Sequence, residues 1–167
     1  MRILFRVIVV GSALLLGACG FHLREQAQLP PGLQRIHLEI ADQGSLLYRD
    51  LPAALERSGA TVEENAGPGI ASLRIPVSTL APQPLSVGST ARVREYSMRY
   101  HVEIEAVDAS GTTVLPRQAI DLNREYTFDE TQALGVAAQE DELRKQLQRD
   151  MVQAILRRIA ALSRPAG

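Results

Sequence analysis

Among 167 residues the chain carries one cysteine, Cys19, within the stretch Leu16-Gly17-Ala18-Cys19-Gly20. A thiol is the strongest nucleophile in the sequence once deprotonated, but a single cysteine can form no intramolecular disulfide, and a bare thiol is a liability in an oxidising compartment. The other groups that could do chemistry do not gather into a reactive set. His22, His37 and His101 have no neighbouring ligand pattern, so they read as solvated histidines and no metal site is expected. Gly67-Pro68-Gly69 is a turn, because no Gly-Lys-Ser/Thr follows to cradle a phosphate. Ser97 and Ser110 lack the strand-to-helix elbow of a nucleophilic serine, and the carboxylates Asp129-Glu130 and Glu140-Asp141-Glu142 read as a loop and a helix start. No catalytic residue and no cofactor are expected; the chain reads as a binding protein rather than an enzyme.

Upstream of Cys19, Arg2 and Arg6 precede an apolar run from Val7 to Leu16, about half of what spans a bilayer, and small residues then lead to the cysteine. That is the pattern of a secretory signal. The order leucine, small, small, cysteine resembles the bacterial lipobox. The resemblance implies cleavage just before Cys19, a diacylglycerol on its sulfur and a further acyl chain, such as palmitate, on its new amino group. Several acyl chains, each contributing about 0.8 kcal/mol per buried methylene, hold a membrane far more firmly than one myristoyl chain. Gly20, where an aspartate would favour inner-membrane retention, resembles the pattern of lipoproteins sent to the outer membrane of a Gram-negative cell.

The next residues narrow the field. Cys19-Gly20-Phe21-His22-Leu23-Arg24 resembles the mature start of the LptE family of lipopolysaccharide-assembly lipoproteins, and the likeness continues through Leu29-Pro30 and Arg94-Glu95-Tyr96-Ser97-Met98 to the last helix. The resemblance implies an outer-membrane lipoprotein that plugs and helps assemble the LptD β-barrel and takes part in lipopolysaccharide transport to the outer leaflet. Its partners would then be that barrel, lipopolysaccharide and the outer membrane itself, with the domain on the periplasmic side or within the lumen. The runner-up is an envelope lipoprotein acting as a binding scaffold for peptidoglycan or another cell-envelope complex.

Composition is compatible with either. About 150 residues beyond a signal suffice for one core and are too few for two comfortable domains. The net charge is −1, with 18 basic against 19 acidic residues, so no nucleic-acid partner is indicated. The expected organisation is a signal peptide at 1–18, a lipidated tether at 19–32, one domain at 33–163 and a short tail at 164–167.

Periodicity gives the elements of that domain. Gln34 to Ile40 alternates, with Ile36, Leu38 and Ile40 on one side. Ser45 is a fair cap for a helix to about Ser58, with Leu47, Leu51, Ala54 and Leu55 on one face, Pro52 inside it and Gly59 as its stop. Ala60 to Glu63 adds a short extended piece. Ala71 to Thr79 is a strand with Ala71, Leu73, Ile75 and Val77 on one face, and Pro76 signals an edge or a bulge. Leu80 to Ala91, with Pro82 and Pro84, reads as a long hairpin loop. Arg94 to Val107 and Thr112 to Phe128 form an antiparallel hairpin around Asp108-Ala109-Ser110-Gly111, with an irregularity at Pro116. A helix from about Gln139 to Leu162 carries the stripe Leu143, Leu147, Met151, Ile155, Ile159 and Leu162, with Glu140-Asp141-Glu142 at its start suiting the dipole. The fold class expected is therefore α+β: a two-layer sandwich in the order β-α-β-β-β-α, with both helices on one face of a mostly antiparallel four-stranded sheet.

If the ligand is a phosphorylated lipid, basic side chains must meet it. The candidates for contact with lipopolysaccharide or the barrel are Arg92, Arg94 and Arg99, beside the long hairpin connection, and Arg74 across the same pair of strands. The alternative is that these are ordinary solvated strand charges.

Overall fold

The computed structural model describes residues 29–87, 93–128 and 133–162, with main chain alone at 86–87, 93–94 and 133–134. Cys19, Arg92 and the lipobox lie outside them. A short 3-10 turn, Pro31–Leu33, delivers the chain to β1 (Arg35–Ile40). Then come α1 (Leu47–Arg57), β2 (Thr61–Glu63), β3 (Ala71–Val87), β4 (Val93–Val107), β5 (Thr113–Thr127) and α2 (Ala133–Ala161).

The domain is α+β with both helices on one face, as expected, but its sheet has five strands in the order β2-β1-β3-β4-β5. It is mixed: β1 runs parallel to both β2 and β3, and only β3-β4 and β4-β5 are antiparallel. The four-stranded, mostly antiparallel sheet is thus corrected. The cause is the βαβ unit β1-α1-β2, in which a crossing helix returns the chain in the same direction, and three residues of β2 are too few to advertise a strand by alternation.

The expected Leu80–Ala91 loop is a second correction over residues 80–87, the rest lying outside the described residues, because β3 continues to Val87 and pairs with β4 up to its first residue, Val93, with Pro82 opposite Met98 and Pro84 opposite Tyr96. Pairing with β1 ends at Ile40 and Ile75, so beyond Ile75 β3 is an edge strand. Prolines are tolerated on such an edge, and two that are two residues apart withhold their missing N–H from the same side. The result is a three-stranded arm of β3, β4 and β5 that extends beyond β1.

Pro76 does mark a bulge. Arg74 pairs with Glu105 and Val77 with Glu103, so β3 holds one extra residue there. The bulge inverts the alternation. Ala71, Leu73 and Ile75 are buried, whereas Val77 lies opposite Glu103 on the outer face and Ser78 takes the inward place opposite Val102. Ser78 is accommodated by hydroxyl contacts to Ser45 (2.8 Å) and Tyr100 (3.3 Å). Burial holds the Tyr100 hydroxyl above its usual pKa, offset in part by its bond to Ser78. Register shifts in β5 near Pro116 account for the irregularity expected there.

The inner face is one aliphatic core: Ile36 and Ile40 of β1, Leu47, Leu51 and Leu55 of α1, the β4 series Met98, Tyr100, Val102, Ile104 and Ala106, and Leu147, Met151, Ile155 and Ile159 of α2. The helix α2 begins earlier than Gln139, which is the third correction. At 29 residues it is about 43 Å long, close to the span of a 15-residue strand, and so it lids β4 and β5 along nearly their whole length. The acidic trio therefore sits beyond the first turn and does not cap the dipole. Glu140 instead occupies the apolar stripe between Val136 and Leu143, where it accepts a 2.6 Å hydrogen bond from Tyr126. Burial and that bond raise the pKa of the Tyr126 hydroxyl.

α1 is continuous through Pro52. It ends in a Schellman arrangement, with Gly59 N–H donating to Glu56 O (2.9 Å) and Ala60 N–H to Leu55 O (3.1 Å). Gly59 has φ +90° and no atom within 4 Å of where a Cβ would sit. Gly59→Val is accordingly expected to lower stability by about 1–2 kcal/mol through backbone strain alone, measured by urea unfolding, while Gly59→Asn should cost less.

Candidate functional site

The outer face of the sheet, opposite the helices, carries the candidate side chains. Alternation sends Glu39 of β1, Arg74 of β3, Glu95, Arg99, His101, Glu103 and Glu105 of β4, and Asp121 of β5 to this side, and the register fixes which of them meet. Arg74 bridges Glu39 (3.2 Å) and Glu105 (3.5 Å) across three strands. Arg99 reaches Asp121 at 2.7 Å, and His101 meets the same carboxylate oxygen at 2.9 Å and Glu103 at 3.7 Å. Arg117 completes this row by pairing with Glu103. On β1, Arg35 holds Glu63 at 2.8 Å, and the His37 Nδ1 lies 3.1 Å from the Glu63 carbonyl oxygen. The face is a set of cross-strand ion pairs on half-exposed side chains, each of modest stabilising value in water.

The four arginines singled out from the sequence fare differently. Arg74 and Arg99 are both on this face, but the residue opposite Arg74, Glu105, is six positions along β4 from Arg99, about 20 Å. They serve two separate ion-pair groups and do not form one basic cluster. Arg94 is the second residue of β4, at the outer end of the arm. Arg92 lies outside the described residues, as does Cys19. The sequence reading saw basic residues close in number but not the carboxylates that the neighbouring strands bring to them. Alternation alone cannot reveal those, since it gives the face of a side chain and not its partner.

The Asp121 carboxyl is held below its ordinary pKa, first by the hydrogen bond with His101 and then by Arg99. A carboxylate with a depressed folded pKa binds fewer protons than the same group in the unfolded chain. It thus adds stability above its unfolded value, and that contribution disappears as pH falls through the folded value. Asp121→Asn is expected to flatten this part of the acid limb in a plot of unfolding free energy against pH below about 5.

No metal-ligating group of three or more His, Cys, Asp or Glu side chains occurs among the described residues, and none of their helices is long and apolar enough to cross a membrane. At the tip of the arm Tyr96 stacks on Tyr126 (centroids 5.6 Å apart) and meets Phe128 edge-on (5.7 Å). This aromatic group ties the ends of β4 and β5 to the side where α2 begins. At the other edge of the sheet, Arg74, Glu39 and Glu105 border a cleft of ≈ 630 Å³ that continues past β1 to Tyr48 and Pro52 of α1.

Comparison with known proteins adds an independent line. Residues 33–159 match the sequence profile of the LptE family, described as lipopolysaccharide-assembly. The LPS-assembly lipoprotein LptE of Yersinia enterocolitica is 27% identical over 161 residues, covering 95% of this chain and 77% of that protein. The LPS-assembly lipoprotein LptE of Pectobacterium atrosepticum is 26% identical over 158 residues, covering 93% and 85%. Among solved structures, an uncharacterised lipoprotein B from Nitrosomonas europaea superposes with a TM-score of 0.73 at 32% identity over 86% of this chain and 92% of its own. The rare lipoprotein B of Shewanella oneidensis shares the fold, with a TM-score of 0.64 at 23% identity over 76% of this chain and 94% of that one.

Proposed function

The chain belongs to the LptE lipopolysaccharide-assembly family, and on that premise we propose that it is an outer-membrane lipoprotein that seats its domain in the lumen of an LptD-type β-barrel and acts with it in lipopolysaccharide transport. The family is one of lipopolysaccharide-assembly lipoproteins, not of enzymes. The anchor is Cys19, acylated at the lipobox. The observation that carries the plug role is the outer sheet face. A barrel lumen is polar and water-filled, and a body placed there must offer hydrogen bonds and charges rather than an apolar patch. Arg74, Arg99, His101, Glu103 and Arg117 provide such a surface, while the helices and sheet enclose the apolar residues between them. Exposed large apolar side chains, among those described, are restricted to Leu46, Tyr48 and Leu85.

Affinity capture of the tagged full chain from detergent-solubilised outer membranes tests the proposal. A large outer-membrane β-barrel should co-purify, with lipopolysaccharide in the same fraction. Recovery of peptidoglycan fragments or another envelope complex without a barrel would support the scaffold reading instead.

Within this reading Arg94, near the start of β4 at the end of the three-stranded arm, and Arg92, two residues before it in the sequence, are the candidates for contact with lipid phosphates or the barrel wall. Arg92→Glu together with Arg94→Glu should leave unfolding free energy within about 0.5 kcal/mol of the parent while lowering recovery of lipopolysaccharide, the barrel or both. Normal recovery of each, with normal outer-membrane permeability in cells that depend on the variant, would remove these arginines from the site.

A further inference from the structure

We infer that the cleft beside β1 is a docking lane for an extended peptide segment in which basic and apolar residues alternate, added to the sheet as a strand in line with β2. The lane exists because β2 is short. It pairs with β1 only at Arg35, Ile36 and His37 and ends at Glu63, whereas β1 continues to Ile40 and is paired there on its other side by β3.

The main-chain groups facing the lane follow from the hydrogen bonds at either end of β1. Thr61 N–H donates to Gln34 O (2.7 Å) on the β2 side, and Ala41 N–H donates to Ile75 O (3.1 Å) on the β3 side. In a strand with parallel neighbours the polar groups of successive residues point to opposite sides. The even-numbered residues therefore face β2, which leaves the Leu38 carbonyl and both main-chain groups of Ile40 pointing where β2 has already ended. An edge of this kind is a ready template for another strand.

The walls specify the occupant. On the helix side the cleft is bounded by Tyr48, which is 48% exposed, and by Pro52, with Leu38 and Val62 at its base. On the other side stand Glu39, Glu63 and Glu105 against Arg74, and Glu64 follows directly after the end of β2 at the cleft's rim. Arg74 is shared between Glu39 and Glu105, and Arg35 holds Glu63; Glu64 is exposed and has no ion-pair partner among the described residues. A strand laid in the lane would turn alternate side chains toward Tyr48 and Pro52 and the others toward these carboxylates. An apolar residue fits the first set and a lysine or arginine the second. The inference does not depend on the lipopolysaccharide role, because it rests on strand pairing and charge alone.

The test uses the full chain in detergent and a short alternating lysine–valine peptide, with a glutamate–valine peptide and a copy of the lysine–valine peptide N-methylated at alternate backbone nitrogens as controls. The lysine–valine peptide should bind and slow hydrogen exchange of the Ile40 amide. N-methylation at the nitrogens that face β1 should weaken binding about tenfold or more, since it removes main-chain donors while keeping every side chain. Glu64→Lys, at an exposed position that the fold does not use, should weaken it about five- to tenfold. Binding of the glutamate–valine peptide with equal affinity, insensitivity to N-methylation, or no binding at millimolar peptide would each overturn the proposal; the last would leave the carboxylates as guards of an edge that takes no partner.

Discussion

Ile155→Asp is expected to unfold the domain or to lower its stability by about 4 kcal/mol or more, as measured by chemical denaturation followed by circular dichroism. Ile155 is fully buried on α2 in the core that α2 shares with the sheet and α1. An aspartate there finds no cationic partner in the core, because the buried side chains on the described residues are apolar apart from Ser45, Ser97 and Gln148. It must either ionise in an apolar site or take up a proton, and both options cost several kcal/mol against a total stability of about 5–15 kcal/mol. Leu147→Asp, about two helical turns earlier and also fully buried, should behave alike. A substitution on the opposite face, such as Arg157→Asp, should cost less than about 1 kcal/mol, because Arg157 is exposed. Equal losses at Ile155 and Arg157 would show that α2 does not lid the sheet.

Cys19→Ala is expected to abolish acylation and lipoprotein-type cleavage. The sulfur is the proposed site of the diacylglycerol, and no other cysteine exists to replace it. The variant precursor should remain uncut before position 19 and fail to incorporate labelled fatty acid, with mass spectrometry of the mature terminus as the measurement. Loss of several acyl chains removes far more membrane affinity than one reversible contact supplies. The soluble domain, exported behind an ordinary signal, should nevertheless keep much of its binding to a barrel if the lumen-facing surface and not the anchor provides the affinity. A mature wild-type chain with an unmodified terminus at another residue would overturn the lipobox assignment.

The ion pairs of the outer face call for a different expectation from the core. Disrupting one of them by a neutral substitution should leave the fold intact, since the side chains remain partly solvated in the folded state. Their role in the proposed function is to present alternating charge to a polar surround, so losses should appear in partner recovery before they appear in unfolding. The contrast between Ile155→Asp and the arginine variants thus separates the face that makes the fold from the face offered to a partner.

Much of this arrangement was legible in the residues alone. Period-two alternation located β1, β4 and β5, spacings of three and four located α1 and the main part of α2, and Gly59 marked the end of α1, because in each case burial on one side leaves its period in the chain. The opening Cys19-Gly20-Phe21-His22-Leu23-Arg24 carried the family resemblance, which the match over residues 33–159 supports from a different part of the chain. Pro76 and Pro116 announced their bulges. What only the tertiary structure decided was what each strand lies beside. Pro82 and Pro84 read as loop residues until β3 was found to be an edge beyond Ile75; Glu140 read as a helix start until Tyr126 was found to satisfy it within the apolar stripe. Arg74 and Arg99 read as one basic group until the register set them about 20 Å apart, each with its own carboxylates. The physical reason is common to all three. Local periodicity records which side of an element is buried, whereas the hydrogen-bond and ion-pair partners that make a proline tolerable, a half-buried carboxylate satisfied or an arginine neutralised come from residues distant in sequence and are fixed only when the strands pair.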